Sequence, residues 1–193
     1  HSIKELKKRD KLTKKELEKR SLSITLPAIR YFLLKTDIKR DMLFNPKETV
    51  SFEGDTGPYI LYAYARASSV IKKSKQKVNA QFDIKELNHK ELELVKKLQQ
   101  FPTTILRAYN SLNPSLIANY SYQLAQLFNE FYHACPVIGS EQEEFRIALV
   151  ESFRQVLKNS LNLLGIEAIN EMWNSNSNPY YIFINLMVKS KSI

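Results

Sequence analysis

Residues 51–66 read SFEGDTGPYILYAYAR, and this stretch decides the fold. Gly54, Asp55 and Thr56 are turn formers, and Thr56 or Gly57 can cap the orphan amides that open a helix. Pro58 suits the first helical position, where its missing N–H has no partner to lose and its φ is already set. Beyond it, Tyr59, Tyr62 and Arg66 stand at i, i+3 and i+7 and share one helical face. Ile60, Tyr64 and Ile71 fall on another, with Ala63, Ala65 and Ala67 small among them. One face reads as packing. The other presents rings and a cation, the side chains that stack unpaired bases and meet phosphates. The same spacing also suits half-buried tyrosines with wet hydroxyls.

Outward from this run the pattern is helical with short breaks. Thr13 followed by Glu16 has the form of a capping box. Residues 22–34 are apolar with Pro27 inside, which predicts a break or bend there. Asn45-Pro46 marks a turn after a short extended piece at residues 42–44. Downstream, the sequence predicts helices over residues 58–74, 88–99 and 102–111, the next beginning at Asn113-Pro114. On that next helix Leu116, Tyr120, Leu124, Leu127 and Phe131 form one apolar stripe, ended by Pro136 and Gly139. A last long helix carries Phe145, Leu149, Phe153, Val156, Leu157, Leu161 and Leu164 on a broad face and stops at Gly165. No internal repeat and no sustained heptad occurs. The fold class is all-α, a helical bundle.

Composition agrees. Of the 193 residues, 44% are hydrophobic, enough for a core, and only 4 are glycine, which disfavours a turn-rich β fold. The net charge of +9 suits a polyanionic partner, though lysine-rich chains without one are common. A single cysteine, Cys135, cannot form an intrachain disulfide and fits a reducing compartment. No run is long and apolar enough to span a membrane, and the basic start has no signal-peptide core after it.

Residues 51–66 resemble the opening of the anticodon-binding domain of arginyl-tRNA synthetases. In that family a segment SFEG-D/N-T-G/A-PY-x-x-Y-A begins the domain's first helix. Residues 119–132, NYSYQLAQLFNEFY, with 133–137, resemble a later helix, and residues 146–166, RIALVESFRQVLKNSLNLLGI, resemble the last one and its closing turn. The similarity extends over residues 22–172, several motifs in order. It implies a helical, DALR-type anticodon-binding bundle over residues 51–172. Residues 1–50 would then be the tail of a catalytic half and residues 173–193 an extension whose role is open: packed strand or helix, or partner-binding segment.

The resemblance also implies a site. Tyr59 and Tyr62 would line the surface for the anticodon loop, with Arg66 near its phosphates. Tyr132 would close the other side of a base pocket, or else be an ordinary core tyrosine. Met172 matches the family's terminal methionine, but here the chain continues past it. Lys72 and Lys73, with Lys75 and Lys77, would hold the tRNA backbone, or merely offset a helix dipole in solvent. Leu61 stands where the family often has glutamine; leucine cannot read a base edge, so either that contact is absent or the position faces the core.

Other chemistry has little support. His133 and Cys135 lack a second pair of ligands, so no metal site is expected. Nothing marks an activating base beside Cys135, and no catalytic residue is assigned. Lys189-Ser190-Lys191-Ser192 echoes the signature loop of class I synthetases without the nucleotide-binding sheet that loop requires. No HxGH motif and no glycine-rich phosphate loop occurs. His1 stands where an initiator methionine would be, so the expectation is part of a longer protein that does not aminoacylate by itself. The whole enzyme would use ATP with magnesium and arginine; this part would need no cofactor. Its expected partner is an arginine-specific tRNA, with no DNA and no membrane, as a cytoplasmic monomer. The alternative is a synthetase-derived helical domain that binds protein and no longer RNA.

Overall fold

The computed structural model describes residues 14–74 and 86–170, with side chains from residue 22 onward. These residues form helices α1 (Lys14–Leu34), the single turn α2 (Pro46–Thr49), α3 (Gly57–Lys73), α4 (His89–Gln99), α5 (Phe101–Asn110), α6 (Ser115–Ala134) and α7 (Glu143–Leu163). Among the described residues there is no strand, in accord with the all-α expectation. Helix α3 is central and packs on α1, α6 and α7; α4 lies against α6 and α7, and α5 against α6.

The opening of α3 follows from its residues. Gly54 turns the chain at φ +75°, a conformation that a side chain would disfavour. Thr56 is the N-cap: its Oγ1 accepts from the Tyr59 N–H (3.3 Å) and donates to the Ser51 carbonyl (2.6 Å). The helix starts at Gly57, which places Pro58 second, still among the residues whose amides have no intrahelical partner. Gly57 is required by close approach. A Cβ there would stand 2.9 Å from the Ala28 Cα and 3.0 Å from the Pro27 carbonyl oxygen.

That crossing also explains a departure from expectation. Of the break or bend expected at Pro27, the break does not occur: α1 runs through it as one helix. The proline removes one helical hydrogen bond, but it is buried against α3, and this packing holds the turn. One turn on, fully buried Tyr31 donates from Oη to Asp55 Oδ1 (2.5 Å), while Lys35 Nζ donates to the Asp55 carbonyl (2.7 Å). Helix α1 thus locks the turn that starts α3. Burial, with Asp55 beside it, pushes the Tyr31 phenol far above its ordinary pKa. Residues 41–45 have no regular structure; Phe44 sets its ring edge-on to Phe32, centroids 5.3 Å apart.

The later helices fall where the sequence places them, within a residue or two. Asn88 caps α4 by accepting from the Lys90 N–H (2.9 Å), and the Glu91 carboxylate accepts from the Asn88 N–H (2.7 Å), a capping box not singled out from the sequence. On α6, Tyr120, Leu124 and Phe131 are buried while Leu116 and Leu127 are half-buried. Phe128 stacks face to face on Phe153 of α7, centroids 3.9 Å apart. Phe145, Leu149, Phe153, Leu157 and Leu161 fill the core, and Gly165, at φ +66°, follows the end of α7. Thr13, Lys75, Lys77, Met172 and the apolar run at residues 180–188 lie outside the described residues.

Candidate nucleic-acid interface

The residues proposed from the α3 face do come together, and they meet α6. Arg66 Nη2 donates to the Tyr62 hydroxyl (2.9 Å) and Arg66 Nη1 donates to Asn129 Oδ1 (2.9 Å). Asn129 Nδ2 in turn donates to the Tyr59 hydroxyl (2.9 Å). The guanidinium carbon lies 4.7 Å from the Tyr62 ring centroid and 5.2 Å from that of Tyr132, within cation–π range of both. The Asn129 amide from α6 thus ties Tyr59 to Arg66, and Arg66 in turn holds Tyr62 and Tyr132.

Tyr59, Tyr62, Arg66 and Asn129 are half-buried, and Tyr132 is 37% exposed at the rim, in contact with Phe128 but outside the core. The core reading of Tyr132 therefore does not apply. Tyr122 adds a further ring, 5.5 Å from Tyr59, and its hydroxyl accepts from Gln126 Nε2 (3.0 Å). Burial, with Tyr59 close by, raises the Tyr122 phenol's pKa. A shallow open groove of about 490 Å³ continues past Tyr59 and Asn129 to Gln126, Lys90 and His133.

The electrostatics of this face are uneven. Among the described residues, Arg66 forms no ion pair with an Asp or Glu; its partners are an amide, a phenol and two rings. Lys90, at the groove's edge, is neutralised by Glu93 (2.8 Å) and Glu130 (2.6 Å), and the hydrogen bonds to Glu130 and Glu93 push its pKa upward. Among the described residues, then, Arg66 is held by neutral partners while Lys90 is paired with carboxylates. Lys73 stands seven residues after Arg66 and so extends the Tyr59–Arg66 line along α3; Lys72 and Lys73 are both exposed in its last turn.

Leu61 is completely buried, so the position faces the core and the loss of an amide there removes nothing from this surface. Asn129, Tyr122 and Gln126 were missed from sequence. Asn129 and Gln126 lie at i, i+3 on the flank of a helix read only for its apolar stripe, and Tyr59, 70 positions earlier, gives no sequence clue to its partner. Among the described residues no group of three or more His, Cys, Asp or Glu could hold a metal ion. Cys135 is buried, and burial followed by the Glu91 charge raises its thiol pKa, which makes it a poor nucleophile.

A bundle whose central helix opens on a capped GDTGPY turn and joins a later helix through tyrosines and an arginine held by an amide and a phenol defines a class. The chain belongs to the DALR anticodon binding domain family, whose profile matches residues 60–172. It is 39% identical to an arginine–tRNA ligase of Phocaeicola vulgatus, the match covering 87% of this chain and 29% of that protein. An arginine–tRNA ligase of Borrelia duttonii is 41% identical, with 87% and 30% covered. Among solved structures, arginyl-tRNA synthetase of Thermus thermophilus superposes with a TM-score of 0.75 at 34% identity, covering 80% of this chain and 28% of that one. The chain thus spans less than a third of the length of each of these three relatives, in their carboxy-terminal portion.

Proposed function

We propose that this chain is the tRNA-recognition part of an arginine–tRNA ligase, and that the α3–α6 face carries the contact. Tyr59, Tyr62 and Tyr132 receive splayed bases of the anticodon loop, and Arg66 meets a phosphate or base edge between them. Lys72 and Lys73 follow the backbone outward. The observation that carries this reading is the half-buried Arg66, held in place among the described residues by neutral partners. An arginine fixed between rings without a carboxylate keeps its charge for an anionic ligand, and stacking on such rings tolerates any base.

The part played is positional. Gripping the anticodon loop fixes the tRNA so that its distant acceptor end reaches the chemistry performed elsewhere in the enzyme. In this reading residues 51–172 are the recognition domain, residues 1–50 join it to a catalytic half, and residues 173–193 extend it. ATP, magnesium and arginine are the business of that catalytic half. The whole is a cytoplasmic monomer whose partner is an arginine tRNA. Among the described residues no helix is long and apolar enough to cross a membrane.

The test is binding of the chain to an arginine tRNA transcript and to one with the central anticodon cytidine replaced, across a salt series. Tight, salt-sensitive binding that falls with the base change is the expected result. Equal binding to both would reduce the interaction to non-specific attraction and leave this assignment without support.

A further inference from the structure

Resting on the reading of the α3–α6 face as an RNA surface, we propose that Asn129 is a positioning residue that sets its hydrogen-bond polarity. It makes the Tyr59 hydroxyl a donor and holds the Arg66 guanidinium that does the same to Tyr62, so that the face recognises an acceptor edge on the RNA.

The polarity follows from the chemistry of the groups. A guanidinium carries only N–H donors, so the Asn129 atom at 2.9 Å from Arg66 Nη1 is the amide oxygen. The amide nitrogen then faces Tyr59, 2.9 Å from its hydroxyl, and an amide nitrogen only donates. The Tyr59 oxygen accepts, and its own proton is directed elsewhere. Tyr62 is in the same condition, because its oxygen accepts from Arg66 Nη2. Among the described residues no acceptor takes either phenol proton. Arg66 uses two of a guanidinium's five N–H groups in these bonds.

What Tyr59, Tyr62 and Arg66 leave over is therefore chiefly O–H and N–H donors, set against spare lone pairs only on the phenol and amide oxygens. The complementary ligand presents acceptors: the carbonyl and ring nitrogen of an unpaired pyrimidine, or a phosphate oxygen. A base that turns an amino group toward the face would set donor against donor and leave both unpaired. Stacking alone does not discriminate among bases; the fixed polarity does.

The experiment uses the 193-residue chain and an anticodon stem–loop of an arginine tRNA, with Tyr59→Phe, N129D and the double variant. A carboxylate at position 129 still holds Arg66, but it accepts the Tyr59 proton and consumes the donor. It also neutralises Arg66, so the single variants alone are not enough. Tyr59→Phe should weaken binding at least threefold in the unaltered chain and less than 1.5-fold in the N129D background, while the melting temperature of N129D holds. An equal Tyr59→Phe loss in both backgrounds would mean that N129D acts only through charge, and would overturn the proposal. Should N129D unfold the chain, Tyr59→Phe decides: unchanged binding removes the donor role. If the unaltered chain does not distinguish loop bases at all, the underlying RNA reading falls and this inference with it. If it does distinguish them and Tyr59→Phe binds as the parent, only the polarity assignment fails.

Discussion

Two arginines, one in a sealed joint of this bundle and one on an open face, show what makes a cation structural and what leaves it available. Arg146 on α7 donates from Nε to Glu91 Oε1 (2.6 Å) and from Nη1 to the Pro136 carbonyl (2.6 Å). The Glu91 side chain is fully buried and that of Arg146 only 14% exposed. The other Glu91 oxygen caps the start of α4. One carboxylate thus joins α4 to α7, while Arg146 ties down the turn after α6. Arg66 is also half-buried and also makes two hydrogen bonds, but its partners are neutral. The residue type is the same and the geometry equally definite. The difference is the charge of the partner: Arg146 is neutralised inside the fold, and Arg66 is held in position with its charge uncompensated.

The comparison is broken most directly on the sealed side. Glu91→Ala removes the counter-charge of Arg146 and the cap of α4 together. Breaking one partner of a buried ion pair costs about 3–5 kcal/mol. We expect a loss of that size in urea or thermal unfolding. A loss under about 1 kcal/mol would show that Arg146 finds water and that the pair is no structural joint.

On the open side the expectation reverses: small effects on stability, large effects on binding. Arg66→Ala should weaken anticodon stem–loop binding by about 2 kcal/mol, as for a hydrogen bond to a charged group, and reduce the salt slope by about 1. Its unfolding free energy should change by less than about 1 kcal/mol, the scale of an exposed cation–π contact. Tyr59→Ala and Tyr62→Ala come next, each weakening binding by about 1–2 kcal/mol through lost stacking, with the helical circular dichroism intact. Binding equal to the parent in all three would place the RNA surface elsewhere on the molecule.

The two sides were unequally legible in the sequence. The open face could be proposed because Tyr59, Tyr62 and Arg66 share a period, and periodicity is local information. The sealed joint could not: Glu91 and Arg146 are 55 positions apart, and each alone reads as a surface charge on an amphipathic helix. Asn129 was invisible for the same reason, since its role depends on Tyr59 and Arg66 arriving from another helix. Helix boundaries were legible because Thr56, Pro102, Pro114 and Gly165 act within a turn of themselves. Pro27 does not end its helix because the local rule for proline is offset by a tertiary contact, the crossing at Gly57. Leu61 was ambiguous until the bundle placed it at zero exposure.

The smallest effect tests how far the open face extends. Lys73 is exposed in the last turn of α3, two turns beyond Arg66 on the same line, and both readings of it predict something. As a cation at a helix C-terminus it stabilises the fold by about 0.3–1 kcal/mol, an effect that salt screens. As a phosphate contact it contributes one released counterion, so that Lys73→Ala lowers the salt slope of binding by about 1. The two are separable because only the second needs RNA. We expect Lys73→Ala to flatten the salt dependence while leaving discrimination between loop bases unchanged, since a backbone contact positions the nucleic acid and does not read it. A shift in melting temperature with an unaltered salt slope would end the RNA face at Arg66 and return Lys73 to the helix dipole.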